Sequence, residues 1–214
     1  VFTYPEFLKV FEAHGIANEK VQAYWPISNT TLFQPSTGNK TGKKVICAGP
    51  CTAKKSHDRF IDLAYLMRDT DYTFDLYTTG NSEAKIKKYN TELGNPVNIT
   101  YADPEDMPSI YKQYDWLVYP SDTKINKVGL PVAVIEAQAC GLGVCLQELP
   151  GRKNAQLDFL DGGGYLFNTI EEVRDIIGQP YPENMRQAGF ENISKCDVAV
   201  HKRMLNDVWS KAIE

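Results

Sequence analysis

The segment from Val128 to Gly141, VGLPVAVIEAQACG, has residue types and spacing suited to holding a phosphorylated ligand. Pro131 fits the first position of a helix, where its missing N–H would be unpaired in any case, and Gly129 just before it lets a ligand approach the backbone closely. The spacing predicts a helix that runs to Cys140 and stops at Gly141. Its start would present free amides and the positive end of the helix dipole, which together favour phosphate or pyrophosphate. Glu136 lies seven residues after Gly129, close to two full turns, so its carboxylate faces the same side. There it can accept two hydrogen bonds from a ribose diol. The alternative is a solvated helix residue, but the flanking Val132, Val134, Ile135 and Ala137 argue for a buried helix, and a buried carboxylate needs partners.

A second set of candidates sits in GPCTAKKSHD, residues 49–58, where Lys54 and Lys55 fall between a strand end and a helix start. A lysine there can place its charge on a diphosphate, against the plain alternative of a solvated loop residue. His57 and Asp58 read as the start of the next helix rather than as an acid–base pair. Tyr101 to Asp103 and Ser121, at later strand ends, could stack on a base and supply hydroxyls. Gly162 to Gly164 resembles a phosphate loop, yet no Gly-Lys-Ser/Thr follows, so a turn before GYLF is the better reading. No GxGxxG follows the first strand, which disfavours a nicotinamide or flavin dinucleotide.

These segments need a scaffold that gathers strand ends. KVICAG, TFDLYTTG, VNITYA, DWLVYPS and GLGVCLQ are short apolar runs. They alternate with the helical patterns HDRFIDLAYLMRD, SEAKIKKYNTEL, PEDMPSIYKQY and PVAVIEAQAC. Such alternation predicts an α/β fold with a Rossmann-like, doubly wound parallel sheet. Ligands in such sheets bind beyond the carboxyl ends of the strands, so the loops after Ala48, Thr79, Tyr101, Tyr119 and Leu146 are the expected functional ones. Residues 1–42 read as a lead-in or linker with one helix around Phe7, Leu8, Val10 and Phe11, and residues 43–214 as the binding domain. From about Thr169 the chain is mostly helical, ending in a helix through Met204, Val208 and Trp209.

The 214 residues, 43% of them hydrophobic, suffice for one core of ordinary size but not for two full domains. A net charge of −4 supplies no general attraction for nucleic acid or anionic lipid. The five cysteines lie mostly in apolar runs, which reads as core packing in a reducing compartment rather than as a zinc site. The four Asn-x-Ser/Thr sequons read as accidental. No apolar run is long enough to cross a membrane and no leading export signal is present. A cytoplasmic location follows as the expectation, with peripheral association at a membrane surface allowed.

Taken together, the motifs resemble the C-terminal, donor-binding domain of the retaining family-4 glycosyltransferases, which have the two-domain GT-B fold. NTTLFQP resembles the family's "pnGvD...F.P". Gly49, Lys55, His57 and Asp58 are in register with "GR...KGHD". IYKQYDWLVYPS is similar to "l..aDv.v.PS", and VGLPVAVIEAQACG to "EGLP.vllEAmAcG". The resemblance implies that Lys55 contacts the diphosphate of a UDP-, GDP- or ADP-sugar, that the backbone of Gly129 and Leu130 cradles its phosphate or sugar, and that Glu136 holds the ribose. It implies a hexose transferred with retention to a glycan, lipid or protein, and donor binding without cofactor or metal.

Two positions depart from the pattern. Pro50 replaces the arginine of "GR", leaving Lys54 to compensate, and Val128 replaces the glutamate expected to contact the sugar. Asp122, Lys124, Asn126 or Lys127 are then the candidates for sugar contacts. The acceptor-binding N-terminal domain does not fit into this chain, so the expectation is a shortened chain, or one working with a separate partner, that binds donor but transfers nothing alone. A degenerate nucleotide-sugar-binding or interaction module, and a nucleotide-sugar epimerase of the same architecture, are the competing readings.

Overall fold

The computed structural model describes residues 2–17, 20–36, 41–125 and 130–213. Six parallel strands form one sheet in the order β5-β4-β3-β6-β7-β8. They are β3 (Lys44–Ala48), β4 (Thr73–Tyr77), β5 (Asn98–Thr100), β6 (Trp116–Tyr119), β7 (Gly143–Gln147) and β8 (Tyr165–Phe167). Strand order reverses direction between β3 and β6, so the architecture is a Rossmann-like, doubly wound α/β sheet.

Strands covered on both faces need apolar residues at every position, and the central ones have them: β6 and β7 are buried throughout and β3 after its first residue. Alternation then sorts side chains between two cores. Ile46, Ala48, Leu117, Tyr119, Val144 and Leu146 face one core. Val45, Cys47, Trp116, Val118 and Cys145 face the other. All five cysteines are buried free thiols divided between these cores, as their apolar surroundings in the sequence suggest.

On the first face lie α4 (Met107–Tyr111), α5 (Val132–Ala139) and α6 (Lys153–Leu160). On the second lie α2 (His57–Leu66), α3 (Glu83–Glu92) and α7 (Ile170–Ile177). Then α8 (Glu183–Asn192) packs against α5, and the chain ends in α9 (Val198–Ile213). Among the described residues no helix is long and apolar enough to cross a membrane.

The preceding segment holds a two-stranded parallel ribbon, β1 (Phe2–Thr3) with β2 (Gln22–Ala23), and α1 (Leu8–Ala13). It is tied to the sheet domain at several points. Trp25 stacks on Phe159 with ring centroids 6.2 Å apart, Phe33 meets Tyr111 edge-on, and Thr30 donates to Asp197 at 2.6 Å. The buried Asp115 carboxylate accepts from the Lys44 amide and the Thr41 hydroxyl, fixing the chain where it enters β3.

Candidate nucleotide-binding site

A cavity of about 650 Å³ opens at the carboxyl edge of the sheet, where the strand order reverses. Its walls come from the ends of β3, β4, β5 and β6 and from the start of α5. The loop after β3 is pinned to β4 by backbone bonds from Gly49 N to Tyr77 O and from Cys51 N to Thr79 O. The Thr78 hydroxyl adds a bond to Gly49 O at 2.7 Å. Gly49 has φ +147°, a conformation that residues with a Cβ rarely adopt, so the turn that opens the cavity requires glycine.

Of the residues singled out in the sequence, Gly49, Lys55, Tyr101, Leu130 and Glu136 line this cavity together. Gly129 lies outside the described residues, as do Val128, Asn126 and Lys127. Lys54 and Ser121 are in different positions from those expected. Lys54 is exposed on the turn before α2 and its carbonyl accepts from the Asp122 amide, whereas Lys55 alone of the two lines the cavity. Ser121 is buried rather than cavity-lining. The loop after β7, expected among the functional ones, does not line this cavity but a different surface, because β7 stands beyond β6 from the point of reversal.

At α5 the sequence reading needs a shift of one residue. Pro131 is the extended N-cap and Val132 the first helical residue; the Val134 amide already bonds Pro131 O. Val132 and Ala133 both line the cavity, and Val132 is exposed rather than buried, while Val134, Ile135 and Ala137 are core. The helix ends as expected, with Gly141 N bonding Gln138 O and Leu142 N bonding Ala137 O. His57 opens α2, and Gly162 to Gly164 form the turn before β8, both as the sequence suggested.

Glu136 faces the cavity from the second turn of α5. Burial pushes its carboxyl up to about 7, opposed by a hydrogen bond from the fully buried Tyr111. A group whose pKa rises on folding contributes stability fully below its unfolded value near 4.5, and that contribution is lost as the pH climbs through about 7. Above neutrality the penalty amounts to at most about 3 kcal/mol. Glu136→Gln is therefore expected to stabilise the unliganded chain at pH 8 by up to that amount and to change little at pH 4.5. Urea denaturation at the two pH values checks this, and an equal effect at both would contradict it.

Lys55 reaches the cavity from the turn before α2. Its ammonium donates to the Tyr119 hydroxyl and lies 4.5 Å from the Tyr119 ring centroid. Burial holds Lys55 below the usual lysine range and Tyr119 above the usual phenol range. Lys55 is the single basic side chain among the described lining residues. Tyr101 is exposed at the outer wall, where its hydroxyl donates to Asp103 at 2.8 Å. Sequence reasoning missed the side chains of Tyr111 and Tyr119. A tyrosine closing a buried strand at its carboxyl end, as in DWLVYPS, is the signal that points to Tyr119.

A carboxylate, an ammonium and a helix start around one concave space can hold a diphosphate and a diol at once. A family profile described as glycosyl transferases group 1 matches residues 42–178. Among solved structures, the C-terminal domain of LpcC, a glycosyl transferase group 1 family protein from Francisella tularensis, is similar with a TM-score of 0.60 and 18% identity over 78% of this chain and 96% of that one. A glycosyltransferase from Rickettsia africae has a TM-score of 0.78 at 14% identity over 100% of this chain and 63% of its own. HepE from Anabaena, solved in complex with UDP and glucose, has a TM-score of 0.73 at 18% identity over 98% of this chain and 62% of its own. This chain thus spans less than two thirds of the last two, and the likeness at these identities is one of fold. No curated protein sequence matches.

Proposed function

The chain belongs to the group 1 glycosyl transferases, and on that premise we propose that it is the donor-binding half of an enzyme that transfers a hexose from a nucleotide-diphosphate sugar to a glycan, lipid or protein acceptor with retention. The observation that carries this reading is the convergence of Lys55, the start of α5 and Glu136 on one cavity. The ribose diol donates to the Glu136 carboxylate, the diphosphate lies between Lys55 and the free amides of Val132 and Ala133, and the base extends toward Tyr101 and Ala102. Lysine charge and helix dipole neutralise the leaving diphosphate, so donor binding needs no metal and survives a chelator. The UDP bound in HepE makes a uracil nucleotide the first candidate. The acceptor is held by a domain outside this chain, which therefore binds donor without turnover.

The test is calorimetric titration with UDP, GDP and ADP. At least one is expected to bind, and Glu136→Ala to weaken it about tenfold, the effect of losing roughly 1.4 kcal/mol of hydrogen bonding. Binding unchanged by Glu136→Ala would remove the ribose role. If no nucleotide binds, an interaction module becomes the better account, and full glycosyl transfer by this chain alone would refute the assignment to a half-enzyme.

A further inference from the structure

We propose that Tyr119, which no sequence motif singled out, is a second phosphate ligand of this cavity, with its hydroxyl donating directly to the diphosphate beside Lys55; this rests on the nucleotide-binding reading above. Tyr119 ends β6 at the point where strand order reverses, and it is 4% exposed yet lines the cavity. Its oxygen lies beside the Gly49 turn: a Cβ placed on Gly49 would be 3.7 Å from it. The hydroxyl therefore sits between the first turn of the site and the Lys55 ammonium.

The direction of the Lys55–Tyr119 bond decides what the hydroxyl has left to offer. An ammonium has three donors and no acceptor, so Lys55 donates and the phenol oxygen accepts. The phenol hydrogen is not used in that bond, and among the described residues it is paired with no acceptor. A phenol that accepts from an ammonium becomes a stronger donor through its free hydrogen, because the bonds polarise one another. Burial also keeps the phenol protonated across the physiological range, so it remains a donor and never a competing anion.

The ligand's charge supplies the demand. A nucleoside diphosphate brings close to three negative charges, whereas Lys55 is the single cation among the described lining residues and Pro50, in the same loop, has no N–H to give. A polarised phenol against the ammonium offers a second donor without the desolvation cost of a second charge. The ammonium lies at the hydroxyl edge of the ring, 4.5 Å from its centroid.

Tyr119→Phe removes the hydroxyl and keeps the ring, and is compared with the unchanged chain by titrating UDP, GDP and ADP and their nucleosides, with melting temperature confirming the fold. The expected result is a loss of about tenfold in affinity for the diphosphate that binds, with nucleoside affinity within about twofold of the unchanged chain. Equal diphosphate affinity in the variant would overturn the role of Tyr119 while leaving the nucleotide site standing. Equal losses for nucleoside and diphosphate would also overturn it, since they mark a change of cavity shape. If the unchanged chain binds none of the nucleotides, the underlying site assignment fails and the Tyr119 proposal fails with it.

Discussion

Replacing Lys55 with methionine is expected to weaken nucleoside diphosphate binding about 100-fold, roughly 2.7 kcal/mol, while leaving the nucleoside itself almost unaffected. Methionine keeps an unbranched apolar stem of similar length, so the change removes the charge more than the bulk. The size follows from where the ammonium lies. It is half-buried at the edge of the cavity, where its field is screened less than at an open surface, and it is the single lining cation among the described residues. The same burial reverses the sign for folding. Because burial lowers the Lys55 pKa, the folded chain holds the ammonium at a cost at neutral pH, and that cost disappears only as the pH rises toward the unfolded value. Lys55→Met should therefore raise the melting temperature of the unliganded chain while weakening its ligand. A variant that lost both binding and stability would show that Lys55 serves the fold rather than the ligand.

Gly163→Ala is expected to cost about 3 kcal/mol of folding stability, or roughly 10 °C in melting temperature for a domain of this size. A Cβ at Gly163 would come within 2.5 Å of the Gly189 Cα and 2.7 Å of both the Gly189 N and the Gln138 Nε2. The first of these is backbone of α8, so relief requires α8 to move. Gln138 is not free to yield either. Its Nε2 donates to Leu160 O at 3.1 Å and Gly163 O at 2.9 Å, while its Oε1 accepts from Asn192 at 2.9 Å. That buried amide network joins α5, α6, the turn before β8 and α8, two residues along the helix from Glu136. Gly151→Ala is the comparison: its Cβ would meet nothing within 4 Å, and only the backbone strain at φ +73°, about 1 kcal/mol, should appear. Thermal or urea unfolding of both variants decides it. Equal, small losses would mean that α8 is not held against the Gly163 turn.

The sheet was legible because its strands are covered on both faces. Continuous apolar runs such as VICA and WLVY suit strands buried on both faces, and their alternation with helices of 3.6-residue spacing points to a parallel sheet. That Gly49, Lys55, Leu130 and Glu136 gather at one place was legible for a similar reason, since each stands near a strand end or a helix start whose position the pattern already shows. Lys54 was not separable from Lys55 by sequence. Both lie on the 3-10 turn Ala53–Lys55, where adjacent side chains point about 120° apart, so one lysine lines the cavity and the other is exposed.

What the sequence determined by itself is the order of elements, the helix start near Pro131 and the family to which these motifs belong, because local spacing and backbone chemistry carry that information. What only the tertiary structure decided is which side chains meet: that Tyr111 bonds Glu136, that Tyr119 lies against Lys55, and that Ser121 turns into the core. Those pairs join residues 25 and 64 positions apart on strands and helices brought together by the sheet's reversal of order. A pattern with periods of two and 3.6 residues places a side chain on a face; it does not say what the opposing face carries.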